Sequence, residues 1–433
     1  MRTNEETLLF AKEAFESGSK VCGIKGPSIM SQFVYKYIIS MGVDQMHTAF
    51  GGGFKQLLSL WFDVEYKDSP FSLYQYTDLV DSRIATVRLP SSVTRSMKSI
   101  KDRAGIWKMS QYKTFLFYFS IVTLHDIMLP DYFNHFLLFA LANYTLSQNS
   151  ISTESVELSD KLFFEFVAKF PDLYTIDDMT INIHMLRHFA ESVKRNGPLY
   201  TTSCFPLENL NGILKSFVHG SKAPELQICS NVSTFMSIRS LKNEMVTRGS
   251  SDSEAMNFAE KLSPNTRGRG LEKTVKISEV LYVVGKYFET PDSIIEVNTH
   301  FTDKNTKIFK KLTKDGIHYT STMCKSVKTE SFFVKFIENN SSYFGKIYFF
   351  VQESCHCSTE CSCTPMLYAV INKFHTVTPF SINIPQCTIH FIHQIVEKIN
   401  EKSIINVMDL QYVCCHIEVN GKEYLIEPVN TLN

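Results

Sequence analysis

The apolar residues of this chain change their period part-way along, near residue 250. Before that point they recur at intervals of three and four, in residues 108–123, 130–147, 157–169 and 179–195. That spacing places apolar side chains on one face of an α-helix. Pro130 and Pro171 punctuate the run, and Asp160 and Asp177 stand at helix-start positions. After residue 275 the period becomes two. Residues 331–337, 346–352, 366–371 and 414–419 are rich in Val, Ile, Phe and Tyr and read as strands. Asp315-Gly316 and Asn420-Gly421 have hairpin-turn chemistry. Residues 388–400 carry the one helical spacing in this part. About seven short strands between turns suggest a small barrel or sandwich.

Between the two regions lies a polar stretch. It holds Gly249-Ser-Ser-Asp-Ser253, Ser263-Pro264-Asn265 and Arg267-Gly-Arg-Gly270. It reads as a linker with one short helix, and its arginines are either solvated or in contact with a phosphate backbone. The expected organisation is multidomain α+β. A mainly helical domain spans 1–245, a linker 246–274 and a β-rich domain 275–433. There is no internal repeat and no low-complexity tract.

Composition excludes several classes. Hydrophobic residues are 44% and charged residues 20%, too apolar for a disordered chain. Lys+Arg and Asp+Glu are both 44, so coating nucleic acid by bulk charge is excluded, whereas a local basic patch is not. The 34 Phe can fill a large core. Residues 1–20 carry Glu5, Glu6, Lys12, Glu13 and Glu16 and lack an apolar signal core. Residues 115–124 and 133–146 are the most apolar and fall short of the roughly 20 residues that span a bilayer. The expectation is a soluble intracellular protein without membrane attachment.

Four motifs carry possible chemistry. Asp44 and His47 are three apart, on one helical face, where they can jointly orient a ligand or metal. They precede Gly51-Gly52-Gly53, which lacks the phosphate-loop pattern and reads as a flexible turn or a close backbone approach. Glu208 follows Pro206 in the first turn of a helix, either as a metal ligand or as a plain helix-start carboxylate. His184 and His188 are four apart, a spacing that serves either zinc binding or packing. Cys355, Cys357, Cys361 and Cys363 crowd into nine residues, out of eleven cysteines in all. They can form a local Cys₄ site for Zn²⁺ or another soft metal, a reduced surface loop, or disulfide pairs. Arg95, Lys98, Lys101, Arg103 and Lys108 form a candidate DNA-binding group, with a solvated face as the alternative.

Residues 2–230, a little over half the chain, resemble the C-terminal half of the CACTA (En/Spm-like) transposase domain of animal transposase-domain-containing proteins. The matching pieces occur in family order. They begin with Arg2-Thr3-Asn4-Glu5-Glu6, Gly23-Ile-Lys-Gly-Pro-Ser28, Asp44-x-x-His47 with its glycines, and residues 57–62. Trp107-Lys108, Asn182-Ile-His184 and Gly197-Pro198-Leu199 follow, then Phe205-Pro-Leu-Glu208 with Asn211-Gly212, and His219-Gly-Ser-Lys222. The β region looks like the less defined domain that often follows in such proteins.

The resemblance implies a DDE-type DNA transposase with an RNase H-like core, in which carboxylates hold two Mg²⁺ for in-line phosphodiester attack. By position, Glu208 matches the last acid of the triad, and Asp44 and His47 match the Asp-x-x-His signature before it. Residues 63–195 look like the family's helical insertion. The family's first two catalytic Asp residues and a Cys-x-x-Cys pair lie upstream of the Arg-Thr-x-Glu-Glu piece, which here begins at Arg2. Gln111 and Lys113 stand where the family more often has Glu and Arg. One carboxylate cannot hold two Mg²⁺. The expectation is therefore a domesticated remnant without DNA cleavage or bound Mg²⁺. The alternatives are a non-catalytic module for DNA, chromatin or protein, and a fragment of an active enzyme. An active site recruiting Asp63 or Asp81 is a further variant. Nuclear localisation is implied by the family alone.

Overall fold

The computed structural model describes residues 3–33, 42–93, 95–247, 273–277, 280–284, 287–288, 307–324, 329–353, 366–383 and 386–429. Among them a helical N-terminal half precedes a mostly antiparallel sheet, an α+β organisation. The expected linker lies almost wholly outside the described residues, as do Cys355, Cys357, Cys361 and Cys363. The chain forms two compact units, one of Met1–Ser203 with Glu272–Asn433 and one of Cys204–Leu271. The units thus divide the chain at other places than the expected 1–245 and 275–433.

The main helices of the first unit are α1 (Asn4–Ser17), α2 (Lys55–Phe62), α3 (Thr77–Thr86), α4 (Met109–Tyr118), α5 (Ser120–Leu124), α6 (Pro130–Leu146), α7 (Thr153–Leu173), α8 (Ile181–Met185) and α9 (Phe189–Asn196). Their starts follow local chemistry. A reciprocal Thr3–Glu6 capping box opens α1, Pro130 opens α6 and the Ser152 hydroxyl caps α7. Every residue of α6 from His135 to Leu146 is buried, so this helix is the centre of the helical core. Phe54 lies against Phe115, Phe136 and Phe139, and Trp61 meets Phe136 edge-on. Each such ring contributes roughly 1.5–3 kcal/mol on burial. Two polar side chains within this core find partners, although His135 Nδ1 is buried without one. Trp61 Nε1 donates to the Tyr174 hydroxyl at 3.2 Å, and His135 Nε2 bonds the Phe166 carbonyl at 2.8 Å.

The strands of this unit are β1 (Lys273–Ile277), β2 (Val280–Val284), β3 (Tyr287–Phe288), β4 (Lys307–Phe309), β5 (Lys311–Lys314), β6 (Ile317–Thr320), β7 (Phe333–Glu338), β8 (Ser341–Glu353), β9 (Met366–Val377), β10 (Ser381–Asn383), β11 (Gln386–Thr388), β12 (Ile392–Asn406), β13 (Leu410–Val413), β14 (Cys415–Val419) and β15 (Lys422–Ile426). The main sheet runs β13-β7-β8-β9-β12-β15-β14, with β4 also on β8 and β3 on β4. A second sheet runs β1-β2-β5-β6. Both ends of the main path, β13 and β14, are consecutive in the chain with only Cys414 between them. Asp315-Gly316 and Asn420-Gly421 take positive φ at the expected hairpins, 50° and 77° and then 53° and 73°.

The helix expected over 388–400 is instead strand, mostly β12. Its pairing with β9 shifts register between Ile395 and Glu397 and again between Lys398 and Lys402. These irregularities break the two-residue alternation, so the apolar residues fall three and four apart and imitate a helix.

The sheet is seated on the helices. Tyr144 of α6 stacks on Phe391 with centroids 3.6 Å apart, and its hydroxyl donates to the Glu427 carbonyl at 3.3 Å. His125 meets Phe380 edge-on at 5.4 Å. Asn420 donates to Asp126 at 2.7 Å, and Arg83 grips the same carboxylate with two bonds of 2.6 Å. Residues 88 and 89 bridge His416 and Thr329. Beside this seam, the Glu427 carboxylate gathers Lys335 at 3.1 Å, His393 at 2.7 Å and the Tyr412 hydroxyl.

The second unit contains α10 (Phe205–Ser216) and α11 (Pro224–Thr247). Between them, Gln227 accepts from the His219 amide at 2.8 Å and donates to the Gly220 and Lys222 carbonyls. The His219-Gly-Ser-Lys222 turn is thus folded around one side chain.

Candidate functional site

Asp44 is held by both of its neighbours. The Val43 amide donates to Ser192 Oγ of α9 at 3.1 Å, and the Val43 carbonyl accepts from Thr202 Oγ1 at 3.0 Å. Gln45 is buried and donates to Ser147 Oγ at 2.8 Å and to Asn143 Oδ1 of α6 at 3.4 Å. With the residues on either side fixed, the half-buried Asp44 carboxylate has one orientation. It caps the next helix, accepting from the Met46 amide at 3.0 Å and the His47 amide at 3.2 Å. Asp44 Oδ2 also pairs with His47 Nδ1.

An ionised carboxylate has no proton to give, so it accepts from Nδ1–H, and in the neutral ring that leaves the lone pair on Nε2. The His47 side chain is 59% exposed. An imidazole oriented in this way can take a proton from a bound group or ligate a metal through Nε2.

The helix that Asp44 caps is a π-helix, Met46–Phe54, running directly into α2. π-Turns are rare in themselves and recur at functional sites. The three glycines lie in it. A Cβ added at Gly52 would stand 2.5 Å from Asn182 Cγ, and one at Gly51 would stand 2.8 Å from Met109 Sδ. A Cβ at Gly53 meets only ordinary contacts, Ile183 and Phe139 at 3.5 Å. Of the two sequence readings for this run, the close backbone approach is the one the packing supports. Pieces far apart in sequence therefore meet around Asp44–His47. They are residues 42–54, Met109 just after Trp107-Lys108, Asn182-Ile183, and the 199–202 turn after Gly197-Pro198.

Glu208 belongs to the other compact unit. It is exposed in the first turn of α10, after Pro206 as expected, with its amide bonded to the Cys204 carbonyl at 2.9 Å.

Asp44, with His47, does not fit a Mg²⁺ site within the first unit. Mg²⁺ requires near-octahedral oxygen ligands, whereas both Asp44 oxygens already accept N–H donors. Asp63 pairs with Arg103, and Asp81 accepts from Ser99 Oγ and the Ile100 amide. Among the described residues, neither acid belongs to a three-ligand group of metal-site spacing.

The basic group divides. Arg95, Lys98 and Lys108 are exposed. Gln111 ties the backbone of their two segments together, accepting from the Lys108 amide at 2.9 Å and donating to the Ser96 carbonyl at 3.0 Å. Lys101 is exposed and pairs with Asp78. Arg103 does not join the exposed residues. Its side chain is 5% exposed, pairs with Asp63, donates to the Ile100 carbonyl and lies over the Phe62 ring. A residue-type pattern cannot distinguish a surface cation from one whose side chain folds inward onto a distant acid.

No family model, curated protein or solved structure matches this chain. The geometry therefore carries the functional reading. No helix among the described residues is long and apolar enough to cross a membrane. The residues that fix Asp44, namely Gln45, Asn143, Ser147, Ser192 and Thr202, were not among the sequence candidates. Small polar residues in apolar helices were their only signal.

Proposed function

We propose that this chain is a transposon-derived protein, a remnant of a DDE-type DNA transposase that does not cut DNA. In this reading, residues 1–203 are part of an RNase H-like core with its helical insertion, and the sheet is a small barrel closed where β13 runs into β14. One observation carries the proposal. Residues in or next to pieces that share the transposase order, about 60 to 160 positions away in the chain, pack around Asp44–His47. A chance likeness of scattered motifs would not require them to touch.

Three carboxylates support the reading without cleavage. Asp44 is occupied by amides and His47, Asp63 by Arg103 and Asp81 by Ser99 and Ile100. The role left to such a protein is binding, to DNA or chromatin in the nucleus, through Arg95, Lys98 and Lys108.

The test is duplex binding at several salt concentrations, with a nicking assay in Mg²⁺ alongside. Three phosphate contacts give a log–log slope of about −2.7, or roughly 40-fold weaker binding at 200 mM than at 50 mM salt. Removing Lys108 should reduce the slope by about 0.9. A salt-independent affinity would refute the binding role. Mg²⁺-dependent nicking abolished by Glu208→Gln would establish the alternative, a fragment of an active enzyme.

A further inference from the structure

His184 stands in the last turn of α8, and His188 ends the 3₁₀ turn Leu186–His188 that leads into α9. The buried residues of this stretch are Ile183, Leu186, Phe189, Ala190 and Val193. They set its phase and leave positions 184, 188, 191 and 195 on the outward side. His184 is exposed and His188 half-buried. Their ring centroids are 5.4 Å apart with planes at 73°.

That separation is informative. A metal ion at about 2.0–2.1 Å from one nitrogen of each ring lies roughly 3.2 Å from each centroid, so tetrahedral coordination sets the centroids about 5.2 Å apart. The centroid separation of the two rings therefore matches that of a pair sharing one metal. Anchoring is strong on both sides. Asn182 packs on Gly52, Ile183 and Leu186 are fully buried, and Arg187 is held by Asp160 and the Phe164 ring.

We propose that His184 and His188 form a two-imidazole site for a borderline transition-metal dication such as Zn²⁺, its remaining positions open to water. Imidazole donors select such ions over Mg²⁺ or Ca²⁺, which take oxygen. Glu191, one turn further on, is paired with Arg195. It is not required as a ligand.

The experiment is a titration of the full chain with Zn²⁺, followed by ring-nitrogen NMR of the histidines, and repeated with Co²⁺ under visible absorption. The expected result is that the His184 and His188 rings shift together at one equivalent, and that His188→Ala weakens binding more than tenfold with an unchanged circular dichroism spectrum. His184→Ala, at an exposed position, gives the same loss should His188→Ala fold poorly. Two results would overturn the site. One is that neither ring shifts. The other is that the variants bind as tightly as the parent, with intense thiolate-to-cobalt bands placing the metal on cysteine.

Discussion

Gly52→Ala is the substitution that tests the packing around Asp44–His47 most directly. In an exposed helix interior, alanine replacing glycine gains about 0.5–1 kcal/mol. Here the new Cβ would stand 2.5 Å from Asn182 Cγ and 2.7 Å from its Cβ and Nδ2. The Asn182 side chain cannot resolve the clash alone, because its own Cβ is among the atoms struck. Its backbone cannot retreat freely, because the next residue, Ile183, is fully buried. Overpacking of this kind costs about 1–3 kcal/mol, which outweighs the helix gain. The net expectation is a loss of roughly 1–2 kcal/mol. Gly53→Ala, one residue on, meets nothing closer than 3.5 Å and should be neutral or stabilising by up to about 0.5–1 kcal/mol. Urea denaturation followed by tryptophan fluorescence reads both, since Trp61 is buried in the helix that follows. Equal losses in the two variants, or no loss at Gly52, would refute the packing argument.

Glu427→Ala should destabilise by about 3 kcal/mol in denaturant melts, because it leaves Lys335, His393 and Tyr412 without their shared acceptor in a largely buried site. Burial pushes the Glu427 carboxyl up, but the hydrogen bonds from His393 and Tyr412 and the Lys335 charge outweigh it and hold the value below the ordinary glutamate range. That stabilisation is complete above the unfolded value and is lost as pH falls through the lowered folded value; Glu427→Gln should flatten this acid limb of the stability curve. Burial lowers the His135 pKa to about 4, so stability should fall by roughly 1.4 kcal/mol per pH unit from about 6.5 down to that value, and His135→Phe should remove the slope. Tyr144→Ala should cost about 3–5 kcal/mol and move the His47 ring resonances, whereas Tyr144→Phe, which keeps the stack, should cost about 1 kcal/mol or less and leave them in place.

The change of period near residue 250 was legible because burial acts on each element separately: one stripe of a helix, alternate residues of a strand. The turns at 315–316 and 420–421 were legible for a local reason, since only Gly, Asn and Asp take positive φ cheaply. The Asn339-Asn340 hairpin has the same chemistry but escaped notice, because it lacks the glycine. The reading of 388–400 failed because a bulged strand loses its period. At the site, the shared face of Asp44 and His47 was readable from spacing. The inward turn of Arg103 was not, because its partner Asp63 lies 40 residues away. Nor was the seam, in which Tyr144 and Phe391 meet only after both halves have folded.

The seam and the site share one helix, which gives the sheet a reason to matter for Asp44. Asn143, Tyr144 and Ser147 lie within a little over one turn of α6 and its end. Tyr144 is fixed from the sheet side by the Phe391 stack and the Glu427 carbonyl. Asn143 and Ser147 reach the other way and hold Gln45, the residue next to Asp44. A turn of helix has little freedom to move one of these side chains without the others, because α6 is buried on all sides. The Asp44 carboxylate therefore depends for its orientation on the Tyr144 ring, which is stacked on Phe391 in the turn before β12. Loss of the sheet should loosen Asp44–His47 even though no strand touches either residue among the described contacts. The helical and β regions then act as one body, and not as a site with an appended domain.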